Sequence, residues 1–249
     1  MSYSTFDSSA EVPKIKKDGI GFQIYLSFKR ILDIIFSLVV LVFFSPLFFL
    51  IAIIIKLDSK GPVFFSQRRI GSKGRWSDGY LVYELGTFKL YKFRTMYINS
   101  SEELHRQFVE AYIDNDHSVM QQLQKNGQHG KSAFKLDDDP RVTRFGKFLR
   151  KTSLDELPQF WNILRNDMSL VGPRPAIPYE VEMYQNWHCE RLQAKPGLTG
   201  LWQVKARSAV EFDDMVQLDI EYVRERSFLM DAMIFFKTPF VILSGKGAS

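Results

Sequence analysis

Cysteine is nearly absent: Cys189 stands alone among 249 residues, which excludes an internal disulfide and a thiolate metal cluster. A reducing compartment is consistent with that usage. Histidine is scarce as well. Of the four, His105, His117 and His129 lie in a polar stretch without metal-ligand spacing, and His188 sits alone beside the cysteine, so surface or structural roles are expected for them. No internal repeat is present. Apolar residues, by contrast, are plentiful. They make up 45% of the chain and include 22 Phe, more than a soluble domain of this size needs, so some apolar surface is expected to face lipid. The net charge of +5 and the pI ≈ 9.1 suit phosphates, anionic headgroups or nucleic acid without choosing among them.

From Ile31 to Ile55 the chain reads "ILDIIFSLVVLVFFSPLFFLIAIII". As a straight helix this run would be about 37 Å long, more than a bilayer core requires. A long polar segment precedes it and no small-residue cleavage site follows, which argues against a cleaved signal peptide. Ser45 and Pro46 interrupt it near its middle. There proline removes a backbone donor, and serine can satisfy the freed carbonyl. Both flanks are basic: Lys14, Lys16, Lys17, Lys29 and Arg30 precede the run, and Lys56, Lys60, Arg68, Arg69, Lys73 and Arg75 follow it. Basic residues favour the cytoplasmic side, so the pattern predicts a helix that enters, bends at Ser45 and Pro46, and returns to the same face.

The remainder is mixed. Polar, turn-rich residues 1–27 precede the hairpin of residues 28–58, and residues 59–249 form the expected catalytic domain. "GPVFFSQRRIG" and "YLVYELGTFKLYKFRTM" predict short strands around a turn near Gly86. A polar insert over about 99–131 follows, whose Leu104, Phe108 and Tyr112 have helical spacing. The tail "DIEYVRERSFLMDAMIFFKTPFVIL" is broken by Asp231, Lys237 and Pro239, which predicts a surface-lying amphipathic helix and not a second span.

Between residues 140 and 174, Arg141, Arg144, Lys147, Arg150, Lys151, Arg165 and Arg174 surround the adjacent acids Asp155 and Glu156 in "TSLDELPQFWNIL". Two readings stay open for those acids. Ser153 and Glu156 have the spacing of a capping box, and acids suit a first helical turn. Alternatively, they form the acidic centre of a phosphate site, where cations offset the repulsion between a carboxylate and a phosphate. An ionised aspartate can form an acyl phosphate without an activating base.

The ordered motifs "FKLYKFRTM", "DDDPRVTRFGKFLRKTSLDELPQFWNIL", "DMSLVGPRP" and "KPGLTGLWQV", after a basic-flanked apolar segment with a central Ser-Pro, resemble the bacterial sugar transferases, or monotopic phosphoglycosyl transferases. The resemblance runs from about Phe28 to Leu243. It implies an α+β, membrane-associated fold: a re-entrant kinked membrane helix plus a small mixed cytoplasmic catalytic domain with surface-lying amphipathic helices. It also implies transfer of a sugar 1-phosphate from a nucleotide sugar, a UDP-sugar above all, to polyprenol (undecaprenyl) phosphate, with release of UMP, at the cytoplasmic face of the bacterial inner membrane. By the same resemblance Asp155 is the nucleophile and Glu156 completes the dyad. The two acids hold Mg2+, and Arg150, Arg174 and Arg207 bind phosphates. Partners are then the UDP-sugar, the polyprenol phosphate and the lipid bilayer, with no nucleic acid; a homo-oligomer is left open. The sequence departs from the family's pattern in the intervening "WSDGYLVYELGT", in the long insert, and at Ala206, where glycine is common.

Rival readings are a membrane-anchored aspartyl-phosphate phosphatase using "DDDPRVT", and a non-enzymatic scaffold of glycan assembly. The phosphatase needs its aspartate at the end of a buried apolar strand, and "SAFKL" is a poor one.

Overall fold

The computed structural model describes residues 4–5, 19–77, 80–98, 103–125, 139, 141–206 and 211–243. A short strand, β1 (Ser4–Thr5), precedes two consecutive helices, α1 (Ile20–Phe43) and α2 (Ser45–Asp58). The break falls where the sequence placed it, and its cause is visible. Pro46 has no N–H for the carbonyl of Val42, four residues back, and the Ser45 hydroxyl donates to that carbonyl instead, at 2.8 Å. The two helices are bent by 60°. Among the described residues no single helix is long and apolar enough to cross a membrane; the bent pair meets that measure of length and composition only when its two helices are taken together.

Helix α1 carries two faces. Asp33, Ser37 and Val40 are buried, at the i, i+4, i+7 spacing of one stripe, and the stripe docks on the rest of the chain. Asp33 accepts from the Leu170 N–H at 2.9 Å and the Ser169 hydroxyl at 3.1 Å. Lys29 pairs with Asp231 at 2.6 Å. The opposite face leaves Ile31, Ile35, Val39, Val42 and Phe43 exposed, and α2 continues it with Phe49, Leu50, Ile53 and Leu57.

Strands β2 (Phe64–Ser77) and β3 (Tyr80–Phe93) form a long antiparallel hairpin, in register from Phe64 opposite Phe93 to Ser77 opposite Tyr80. The turn expected near Gly86 is not there: Gly86 is mid-strand, opposite Gly71. The described residues of "WSDGYLVYELGT" thus belong to the outer half of the hairpin, whose register runs out to Ser77 opposite Tyr80. β1 adds to the edge of β3 at Gly86 and Thr87.

The insert supplies α3 (Glu103–Ile113) and α4 (His117–Lys125); residues 99–102 and 126–131 lie outside the described residues. Phe108 and Tyr112 are buried as their spacing suggested, and Asp116 caps α4 by accepting from Ser118 and Val119 N–H groups at 3.0 and 3.1 Å. Beyond it come α5 (Arg144–Lys151), α6 (Gln159–Leu164), β4 (Ser169–Val171), α7 (Pro178–Glu182), β5 (Gly197–Thr199), α8 (Leu201–Lys205), α9 (Phe212–Glu225) and α10 (Phe228–Leu243). β4 and β5 pair in parallel. The largest core joins Val40 of α1, Phe88 and Leu90 of β3, Ile163 of α6, Val223 of α9 and Ile234 of α10. α10 buries Ile234 yet exposes Phe228, Leu229, Phe236 and Phe240, so apolar side chains lie on both its inner and its outer face. The mixed helix-and-strand architecture agrees with the α+β expectation.

Candidate active site

The two acids lie in a single 3-10 turn, Leu154–Glu156, between α5 and α6. Asp155 is buried and Glu156 half-buried. The capping box is not formed. Ser153 takes a left-handed backbone, φ 56°, and its side chain makes no cap bond; its carbonyl accepts the Glu156 N–H at 3.2 Å. Pro158 explains the failure: it starts α6 at the N-cap, where a missing N–H costs nothing, so the acids stand ahead of that helix.

Thr95 and Arg150 meet because the chain leaving β3 runs beside the chain entering α5. Thr143 N–H donates to the Thr95 carbonyl at 3.0 Å, and Tyr97 N–H to that of Arg141 at 2.9 Å. A Cβ at Gly146 would stand 2.2 Å from the Thr95 carbonyl oxygen, so only glycine allows this approach. One turn later on the same helix face, Arg150 Nε donates to the Thr95 hydroxyl at 3.0 Å. Burial lowers the Arg150 pKa, while Asp155 and then Asp139 act to raise it; the arginine is electrostatically coupled to the acid.

Lys92, unassigned in the sequence reading, faces the dyad directly. Its Nζ lies 2.7 Å from Glu156 Oε1 and 3.6 Å from Asp155 Oδ2. Asn162 fixes that geometry from α6. Its side chain donates to the Lys89 carbonyl at 2.7 Å and accepts the Tyr91 N–H at 3.0 Å, clamping β3 against the helix that follows the dyad. Register does the rest: Gln67 and Arg69 of β2 lie opposite Leu90 and Phe88, and so share a sheet face with Lys92.

Arg69 was counted among the bases flanking the apolar run. It is buried in the domain, and its Nη1 donates to the carbonyl of Pro175, next to Arg174, at 2.9 Å. Burial first, and Arg174 second, bring Arg69 down to about 10; it stays cationic at neutral pH.

The basic run does not converge as a whole. Arg144, Lys147 and Lys151 are exposed, Arg165 pairs with Asp167 at 3.3 Å, and Arg141 is bound to Asp139 at 2.7 Å. Arg150 is coupled to Asp155, and Arg174 to Arg69. Arg207 lies outside the described residues. Asp139, the described acid of the motif behind the phosphatase reading, is occupied by Arg141 and lies on no strand.

Among the described residues no group of three acidic, histidine or cysteine side chains could hold a metal ion. Two adjacent carboxylates nevertheless suit Mg2+, which takes one or two of them together with substrate phosphates and water. The donor set of Asp155 and Glu156 fits an ion that arrives with a diphosphate.

The sequence model for "Bacterial sugar transferase" matches residues 24–245. The chain belongs to the bacterial sugar transferase family. Among its relatives, the exopolysaccharide production protein ExoY of Rhizobium meliloti (strain 1021) is 40% identical over 220 residues, 87% of this chain and 86% of that protein. The undecaprenyl-phosphate galactose phosphotransferase of Salmonella typhimurium is 40% identical over 88% of this chain and 41% of its own length. The UDP-glucose:undecaprenyl-phosphate glucose-1-phosphate transferase of Klebsiella pneumoniae is 35% identical over 90% of this chain and 42% of its own. This sugar transferase therefore spans under half the length of the latter two.

Proposed function

We propose that this sugar transferase moves a sugar 1-phosphate from a UDP-sugar to undecaprenyl phosphate, through a covalent phosphosugar on Asp155. The observation that carries the reading is the buried Asp155 beside Glu156, with Lys92 within 3.6 Å and Arg150 coupled to it. The names of the relatives support the acceptor and the kind of donor.

In the first step an Asp155 carboxylate oxygen attacks the sugar-bearing phosphorus. The bond from that phosphorus to the bridging oxygen breaks, and uridine monophosphate leaves with the electron pair. In the second, an oxygen of the lipid phosphate attacks the same phosphorus, the acyl-phosphate bond breaks, and the carboxylate is restored. Lys92 and Arg150 offset the negative charge that meets at the dyad. Mg2+ held by Asp155 and Glu156 would neutralise further phosphate charge. The bent α1–α2 pair is a re-entrant hairpin in this reading, and the domain faces the cytoplasm.

The test uses a UDP-sugar labelled in the β-phosphate, without lipid. The enzyme is expected to take up at most one equivalent of label, at Asp155, and to release it to undecaprenyl phosphate. Asp155→Asn should lose labelling and turnover, and excess chelator should abolish turnover. Label on Glu156, or product that forms only when both substrates are bound, would overturn the covalent role of Asp155. Running the labelling with several UDP-sugars identifies the sugar.

A further inference from the structure

We propose that Arg69 and Arg174 together form the pocket for the leaving phosphate of the donor, the half that departs as a nucleoside monophosphate. Arg69 is then a substrate-binding residue of the site. The proposal rests on the reading above and adds a residue and a subsite to it.

Arg69 is 8% exposed, yet among the described residues its hydrogen bonds go only to neutral acceptors. Nη1 donates to the Pro175 carbonyl at 2.9 Å and Nη2 to the Gln67 side-chain oxygen at 2.8 Å. Its Nε is buried without a partner. A cation taken out of water without a counter-charge is costly, and here a second guanidinium, Arg174, aggravates the cost. The carboxylates that act on Arg69 are Glu180 and Glu156, and both are engaged elsewhere. Glu180 accepts from Tyr184 at 2.6 Å and Ile177 at 3.3 Å and pairs with Arg191 at 3.4 Å. Glu156 is held by Lys92 at 2.7 Å. Two neighbouring guanidiniums with the nearby acids engaged are a receptor for an external anion.

The anion's identity follows from which acid each cation feels. Arg150 feels Asp155 first among the acids, whereas Arg69 feels Arg174, then Glu180 and, less, Glu156. In an in-line displacement the leaving oxygen departs opposite the nucleophile. With Asp155 attacking, the departing phosphate lies opposite the nucleophile and is assigned to the buried Arg69 and its neighbour Arg174, since Arg150 already serves Asp155. A purely structural task does not require the charge. The Ile70 N–H already ties β2 to the same loop by donating to the Ala176 carbonyl at 2.8 Å.

The experiment measures calorimetric binding of uridine monophosphate to the full chain and, separately, the two half-reactions. Arg69→Gln should weaken uridine monophosphate binding at least tenfold and leave uridine binding unchanged. It should slow labelling of the enzyme by the UDP-sugar, yet enzyme labelled by long incubation and freed of nucleotide should pass its phosphosugar to undecaprenyl phosphate at the wild-type rate. Arg69→Lys, which keeps the charge and loses the fork, should fall between. Unchanged uridine monophosphate affinity in Arg69→Gln overturns the proposal, and so does a second half-reaction slowed as much as the first, because Arg69 would then only hold the site together. If the wild-type enzyme transfers no sugar phosphate but still binds uridine monophosphate in an Arg69-dependent way, the transferase reading falls and the pocket stands.

Discussion

Lys92 touches both acids, so one substitution there acts on the whole dyad. Lys92→Met is expected to lower kcat by about 10²–10³, the loss seen when one preorganised electrostatic donor is removed from a reacting centre, while Lys92→Arg retains part of the activity. Single-turnover labelling is the measurement, and a rate within threefold of wild type would remove Lys92 from the chemistry. At this scale the sequence was informative about acids and much less so about cations. Asp155 and Glu156 stood out as adjacent carboxylates among many bases, open to a capping reading until the resemblance gave them catalytic roles. Lys92 and Arg69 were hidden because a strand spaces its inward residues two apart, and only the hairpin register puts them on one face from opposite strands. Arg69, beside Arg68 and near an apolar run, looked like one more flanking charge. Only the register across to Phe88 and the contact with the Pro175 carbonyl reveal that it is buried. Ser153 erred in the other direction: its spacing to Glu156 satisfied the capping pattern, and a left-handed backbone ahead of a proline-started helix defeated it.

The next scale is the element, and here two arginines tie the bent helix pair to the catalytic domain by filling helix ends. The last carbonyls of a helix lack intrahelical donors. Arg30, on α1, donates to the carbonyls of Ile163 and Leu164 at the end of α6, at 2.6 and 2.8 Å. Arg94, just past β3, donates to the carbonyl of Ile55 in the last turn of α2, at 3.4 Å, and to those of Ser59 and Lys60 just beyond the helix, at 2.7 and 2.9 Å. Each helix end is thus capped from across the interface. The geometry also accounts for Gly61. Its φ is 128°, and a Cβ there would stand 2.0 Å from Arg94 Nη1. Arg94→Ala should destabilise the protein by about 1.5–3 kcal/mol, since part-buried carbonyls lose a charged donor, and Gly61→Ala should destabilise it too by displacing the guanidinium. Denaturant unfolding of the detergent-solubilised protein measures both; a change below about 0.5 kcal/mol for Arg94→Ala would show that the cap is dispensable. The helix break was legible because proline and serine act locally, on the carbonyl of Val42. The turn of the β2–β3 hairpin was misplaced because Gly86 attracts a turn assignment on composition, although a glycine within a strand also permits close backbone pairing.

At the scale of the whole molecule, exposed apolar side chains crowd α1, α2 and α10, where an ordinary soluble surface scatters them singly, while the acids and their cations lie in the domain that packs against the inner face of α1. If the bent pair returns to the side it came from, both of its ends lie with the active site, where in the proposed reaction the donor and then the lipid phosphate each react. Single cysteines at Ser27 and Lys60, in a background with Cys189 replaced, test this arrangement. Both should be protected from a membrane-impermeant thiol reagent in intact cells and labelled after permeabilisation. Labelling of one site alone in intact cells would mean that the pair crosses the bilayer. Pro46→Leu sharpens the test, because it restores the N–H missing at the Val42 carbonyl and removes the ring clash that favours the bend. A straightened pair has the length and apolar character to span, so the variant should expose one cysteine and lose transfer activity together. Loss of activity with both cysteines still protected would instead place the proline's importance in the docking of α2 on the domain, and separate the bend from the topology.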